Sequence, residues 1–254
     1  MKLFRPRFNQ REGTPDAELR PNPVRRYPSC DCLAPQFESG EWQELTLHGE
    51  KQDTQSDAWK SLEEYIQKVA VDGADELNPM KGIGSEKWGQ IVTLPSSIGK
   101  LQSVKVLSLY GSHLVRIPSA IGEMTNLEEF DAYTSYRLHW LPYEITRCKK
   151  LKRSRISTRA LYGNNKYRPP FPRLPNVSAD TTPAFCSVCR GAFTEEGPHE
   201  VWISILVAKD VLPLLVHACS SECIRALPKA AENYVAEPHQ GGLEIKQPAP
   251  AYLT

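Results

Sequence analysis

The chain has 254 residues, 31 Lys and Arg against 30 Asp and Glu, a formal net charge of +1, 40% hydrophobic residues and seven cysteines. That length supports one large domain or two modest ones, and the charge balance argues against a dominant polyanionic partner such as duplex DNA. No apolar run approaches the roughly 20 residues that span a bilayer, and no apolar core follows "MKLFRPRFNQREG", so a soluble, cytoplasmic protein without membrane contact is expected.

In a reducing compartment, clustered cysteines are metal ligands or catalytic groups more often than disulfides. Residues 1–28 hold seven basic and three acidic residues with five prolines, which reads as a flexible basic arm. Cys30 and Cys32 in "SCDCL" stay open between a nucleophile with no assignable His or Asn partner, a thiol pair and ligands of a second site. "EWQELTLHG" reads as a short strand. "SDAWKSLEEYIQKVAVDGADEL" then places Trp59, Leu62, Tyr65, Ile66 and Val69 on one helical stripe, with Ser56 or Asp57 as N-cap. Strand and helix, residues 29–77, form an N-terminal cap.

The middle of the chain repeats itself. "LPSSIGKLQSVKVLSLYGSHLVR" starts at Leu94, "IPSAIGEMTNLEEFDAYTSYRLHW" at Ile117 and "LPYEITRCKKLKRSRISTRALYG" at Leu141, offsets of 23 and 24 residues. Ile98, Ile121 and Ile145 match, as do Leu101, Met124 and Cys148, then Val104, Leu127 and Leu151; Leu107 matches Phe130, and Leu109 matches Ala132 and Ile156. These segments resemble the leucine-rich repeat, with its L-x-x-L-x-L strand and L/I-P-x-x-I-G turn. Cys148 then fills a core position. Ser154 departs from the expected core leucine, and Ser112 and Ser135 stand at the consensus asparagine. "WGQIVTLP", with Trp88 and Ile91, reads as the tail of a further repeat. So few units need capping at both ends.

The resemblance implies a curved sheet whose concave side carries the residues between the core positions. Three rows result: Val106, Glu129, Arg153; Ser108, Asp131, Arg155; Tyr110, Tyr133, Ser157. Adjacent strands lie about 4.8 Å apart, so Glu129 can pair with Arg153 and Asp131 with Arg155 simply to satisfy each other. Tyrosine and arginine are also the residue types of binding hot spots. "YGNNKYRPPFPRLP" is a proline-rich connector, either a polyproline ligand for another protein or a segment lying along its own domain. Repeats and connector occupy residues 78–178.

Cys186, Cys189, Cys219 and Cys223 follow as C-x2-C, a gap of 29 residues and C-x3-C, two closely spaced pairs that suit a structural Zn2+ site. "FCSVCRGAF" supplies a tight knuckle, "EVWISILVA" and "VLPLLVHA" read as strands, and "CSSECIRAL" opens a helix with Ser220 as N-cap and Glu222 in the first turn. His199 and His217 are substitute ligands. This order resembles treble-clef zinc modules. Four thiolates leave no open coordination position, which argues against metal catalysis. Cys219→Ser is expected to release the zinc and destabilise residues 183–230 while leaving the repeats folded. The module spans 183–235 and a tail 236–254.

The expected fold is therefore α/β: a short leucine-rich-repeat solenoid with an N-terminal helical cap, then a small zinc-stabilised α+β module. No phosphate-binding loop, nucleophile elbow or H-E-x-x-H helix occurs, so a non-catalytic binder of a partner protein is expected. An immunity protein that neutralises a toxin suits a small near-neutral chain; a signalling scaffold or adaptor is the alternative. A ubiquitin-ligase-like or thiol enzyme is a weaker reading. Nucleic-acid binding through the zinc module is also weak, because Arg190 and Lys209 there face Glu195, Glu196, Glu200, Asp210 and Glu222.

Overall fold

The computed structural model describes Cys30, Cys32 and residues 42–175 and 182–249. The basic arm, residues 1–28, lies outside them. The described residues form a mixed helix and strand structure with a parallel sheet at its centre. The first helix among the described residues, α1 (Asp57–Asp72), starts where Ser56 accepts the Trp59 amide and stops at Gly73, whose φ of 62° is the left-handed conformation that glycine adopts at least cost. Its stripe buries Ala58, Leu62, Ile66 and Val69, with Trp59 and Tyr65 partly covered. No strand forms over the described residues, 42–49, of the one expected at 41–49. Residues 42–50 have no regular secondary structure, and they are fixed instead by side chains, with Leu45 and Leu47 in an aromatic cluster.

Past the helix come β1 (Glu76–Leu77), α2 (Pro79–Ile83) and α3 (Ser85–Trp88). Strands β2 (Val106–Ser108), β3 (Glu129–Ala132) and β5 (Arg153–Ile156) then follow one per repeat. All pair in parallel in the order β1-β2-β3-β5. The registers align Val106, Glu129 and Arg153, then Ser108, Asp131 and Arg155, as the repeat alignment requires. Leu77 extends the buried column of Leu107 and Phe130. The expected cap region therefore ends inside the sheet; two residues were too short a pattern to show this.

Each repeat opens with a 3₁₀ turn, Ser96–Lys100, Ser119–Glu123 and Tyr143–Arg147, preceded by Pro95, Pro118 or Pro142 with φ of −71°, −70° and −71°. Proline presets that angle and needs no donor there. The amides of Leu101, Met124 and Cys148 end the turns on the carbonyls of Ile98, Ile121 and Ile145. Cys148 is buried, its thiol faces the Ile121 carbonyl at 3.3 Å, and burial pushes its pKa up to about 11. It is core filling. At the asparagine positions, the Ser112 hydroxyl donates to Ser135 at 2.7 Å and Ser135 to the Leu109 carbonyl at 3.1 Å. Two short side chains thus do the backbone satisfaction that one asparagine would do.

A second sheet, ordered β4-β7-β6, is built from β4 (Leu141–Pro142), β6 (His199–Val207) and β7 (Asp210–Ala218). Strand β4 opens the third repeat yet pairs with β7, at Leu141↔Leu214. Repeats and hairpin share one core that runs from Ala58 through Phe130 and Leu141 to Val201, Leu214 and Ala230. A separate module at 183–235 is thus not what the packing forms. Ser154, the eroded core position, explains itself here: its hydroxyl donates to Asp210 Oδ2 at 2.6 Å and accepts the Lys209 amide at 3.3 Å, seating the hairpin tip.

The connector lies along its own protein. Phe171 and Leu174 are buried with Tyr162, Trp140 and Trp202, and Arg168 donates to the carbonyls of Gly163 and Asn233 at 3.0 and 2.6 Å. A segment so covered is no free polyproline ligand. The described part of the expected tail, residues 236–249, is packed as well: His239 and Trp202 exchange backbone hydrogen bonds at 2.7 and 3.1 Å. A Cβ at Gly241 would come within 2.1 Å of the Pro172 carbonyl oxygen, so only glycine fits that approach. No helix among the described residues is long and apolar enough to cross a membrane.

Candidate metal centre and sheet face

The C-x2-C knuckle is shaped by its own backbone. Cys186 donates its amide to the Gly191 carbonyl at 2.8 Å, and Arg190, at a φ of 63°, returns its amide to the Cys186 carbonyl at 3.0 Å. The second pair starts α4 (Ser221–Arg225), where Ser220 caps the helix by accepting the Cys223 amide. The β6–β7 hairpin brings the two together: His217 and Ser187 exchange bonds of 2.8 and 3.0 Å across strand and knuckle. Arg147 of the third repeat donates to the Ser187 carbonyl at 2.9 Å, fixing the knuckle to the repeats.

The sulfurs of Cys186, Cys189, Cys219 and Cys223 all lie within 4.8 Å of one another. Cys189 and Cys219 are 3.5 Å apart, and Cys219 and Cys223 3.6 Å. A tetrahedron with metal–sulfur bonds of about 2.3 Å has edges of about 3.8 Å, so the cluster fits one ion. The amides of Val188, Cys189 and Cys219 point at Cys186 Sγ at 3.3–3.5 Å, and that of Gly191 at Cys189 Sγ at 3.3 Å. Donors aimed at sulfur favour thiolate.

Burial pushes the Cys186 thiol up, but the amides around it prevail and hold it at about 6. The thiols of Cys189, Cys223 and Cys186 push Cys219 up to about 12, and burial raises Cys223. Cys186 thus ionises readily while Cys219, through the neighbouring thiols, and Cys223, through burial, hold their protons. A cation removes that conflict. The donor set is all sulfur, which suits a soft or borderline-soft ion and not magnesium or calcium. The cluster can hold a metal ion. The substitute histidines stay outside it: His217 is buried against Glu200 at 3.4 Å, and His199 is exposed.

The sheet face forms with the expected pairs. Arg153 meets Glu129 at 2.8 Å, and Arg155 takes Asp131 with two donors. The Arg155 guanidinium also lies 5.7 Å from the ring centres of both Tyr110 and Tyr133, which are 6.3 Å apart. Asp131 raises the arginine's pKa further. Val106 and Ser108 are half-buried on this face, and Tyr133 is 44% exposed. Ser157 does not share the exposure of its row. It is buried and its hydroxyl accepts the Thr134 amide at 2.8 Å. Asp131 is likewise covered by Arg155. His48 and His139 carry no local spacing signal, yet the structure brings both beside Cys30 and Cys32.

No protein-family model matches the chain, and no curated protein matches it. Among solved structures it is similar to a leucine-rich-repeat protein of Leptospira interrogans, at 22% identity and a TM-score of 0.24. That match covers 43% of this chain and 38% of the other, so the chain spans well under half of that protein.

Proposed function

We propose that the chain is a short leucine-rich-repeat protein that binds a partner protein through the face of its parallel sheet, without catalysis. The observation that carries this reading is the Arg155 guanidinium held between Asp131 and the rings of Tyr110 and Tyr133. Aromatic and arginine side chains fixed before contact lose little freedom on binding, and such residues dominate interface energies. A zinc ion on Cys186, Cys189, Cys219 and Cys223 would be structural. Its binding free energy would become folding free energy of the second sheet, which backs the repeats.

The test is capture from native lysate of the source cell, comparing the native chain with Tyr110→Ala/Tyr133→Ala by mass spectrometry, followed by titration of any enriched partner. A hot-spot pair predicts at least about a 30-fold weaker Kd. Unchanged affinity would remove the site from this face. A toxin as partner would establish an immunity role, and a signalling protein an adaptor role.

A further inference from the structure

We propose that Cys30, Cys32, His48 and His139 form a second metal site, taking a zinc-like divalent cation that fastens Cys30 and Cys32 to the second repeat. Four ligand atoms from three distant stretches of chain converge, all within 4.8 Å of one another. His139 Nε2 lies 3.2 Å from Cys30 Sγ and 3.1 Å from Cys32 Sγ; His48 Nε2 lies 3.2 and 3.9 Å from the same sulfurs. The two Nε2 atoms are 3.2 Å apart. With metal–nitrogen bonds of about 2.0–2.1 Å and metal–sulfur bonds of about 2.3 Å, tetrahedral edges are about 3.4 Å between nitrogens and about 3.6 Å between nitrogen and sulfur. The observed spacings scatter around those edges.

The outer atoms of both rings point the same way. His139 Nδ1 faces the Ala160 carbonyl at 2.5 Å, and a carbonyl only accepts, so Nδ1 carries a proton. His48 Nδ1 faces the Glu50 carboxylate at 3.2–3.3 Å and donates likewise. Neutral rings then aim two Nε2 lone pairs at one point. A shared cation reconciles them, and ring N–H groups bound to carboxylate or carbonyl are the usual outer support of histidine ligands. Glu50 is itself held by Arg137, and its carbonyl by Arg116 at 2.8 Å. Tyr162 packs against the His139 ring at 5.2 Å, locking its orientation. A Cys–His nucleophile would need one imidazole against one thiol; here two rings and two thiols share a centre. Paired sulfur and imidazole donors select zinc over hard cations.

The experiment is zinc stoichiometry of the full chain after saturation and desalting, by mass spectrometry of the metal. The native chain should carry two zinc ions, His48→Ala one, and Cys186→Ser/Cys219→Ser one. Cobalt in the last variant should give the tetrahedral visible bands of a mixed sulfur and nitrogen site, with sulfur-to-cobalt charge transfer about half that of a four-sulfur site. If that double variant fails to fold, His48→Ala in the otherwise native chain decides alone. Peptide-resolved maleimide labelling adds a metal-independent readout: Cys30 and Cys32 should be protected natively and react after chelation. Metal content unchanged by His48→Ala overturns the proposal. A single zinc lost with His48→Ala but kept in Cys186→Ser/Cys219→Ser would support this site and sink the four-cysteine one.

Discussion

Replacing Trp202 with alanine probes how far the hairpin, connector and repeats stand or fall together. The indole is fully buried. It meets Trp140 and Tyr162 edge-on at 5.9 and 6.0 Å, lies against Phe171 at 5.8 Å, and donates Nε1–H to the Pro172 carbonyl at 2.8 Å. Removing a buried aromatic ring costs about 3–5 kcal/mol, and a stranded buried carbonyl about 1–3 kcal/mol more. About 5 kcal/mol is the expected loss. At about 2–4 °C per kcal/mol for a chain of this size, Tm should fall by about 10–20 °C. Trp202→Phe keeps most of the ring and should lose about 2 kcal/mol. Calorimetry and far-ultraviolet circular dichroism should report one transition that moves as a whole, because Leu141, Leu214 and Phe130 belong to one core. A second transition left at the native Tm, or a loss below about 1 kcal/mol, would refute the shared-core reasoning.

Two further outcomes follow from the same packing. Cys219→Ser should release the proposed ion from the four-cysteine cluster and lower the Tm of the entire chain, since β4 ties β7 to the third repeat; repeats that keep their native Tm would show instead that the hairpin folds alone. His239 is buried, which lowers its pKa from 6.5 to about 4. The unfolded chain therefore binds a proton first, and stability present above about pH 6.5 is lost as pH falls toward 4. His239→Phe should remove about 3 kcal/mol of that dependence in denaturant titrations across the interval; an unchanged slope would assign the acid sensitivity to other groups.

The repeats were legible because their signal is local and periodic. Ile98, Ile121 and Ile145 recur at a fixed offset, and the registers of β2, β3 and β5 follow from it. The four-cysteine cluster was legible because cysteine pairs on a knuckle and at a helix start have short spacings. What escaped has no period. Nothing near Leu141 says that a two-residue strand will pair with Leu214, more than 70 residues on. Nothing near Leu77 marks a strand, and "EWQELTLHG" alternates like one but finds no partner. The buried fate of Phe171 and His239 is decided by Trp202, a residue neither segment announces. His139 stands 109 residues from Cys30. The C-x-C pair hinted that partners were needed, and only the fold could say which.

The docking of the hairpin also fixes how many repeats the chain can hold. Ser154 gives its hydroxyl to the hairpin tip, and β4 is already paired with β7. A further unit spliced in behind the third repeat would have to displace both attachments. One spliced in ahead of Ile117 would part Arg116 from Arg137, which together hold the carbonyl and the carboxylate of Glu50. The sheet is thus stapled at both joints, by the Glu50 segment across the first two repeats and by the hairpin behind the third, so a designer wishing to lengthen it must remake one set of attachments.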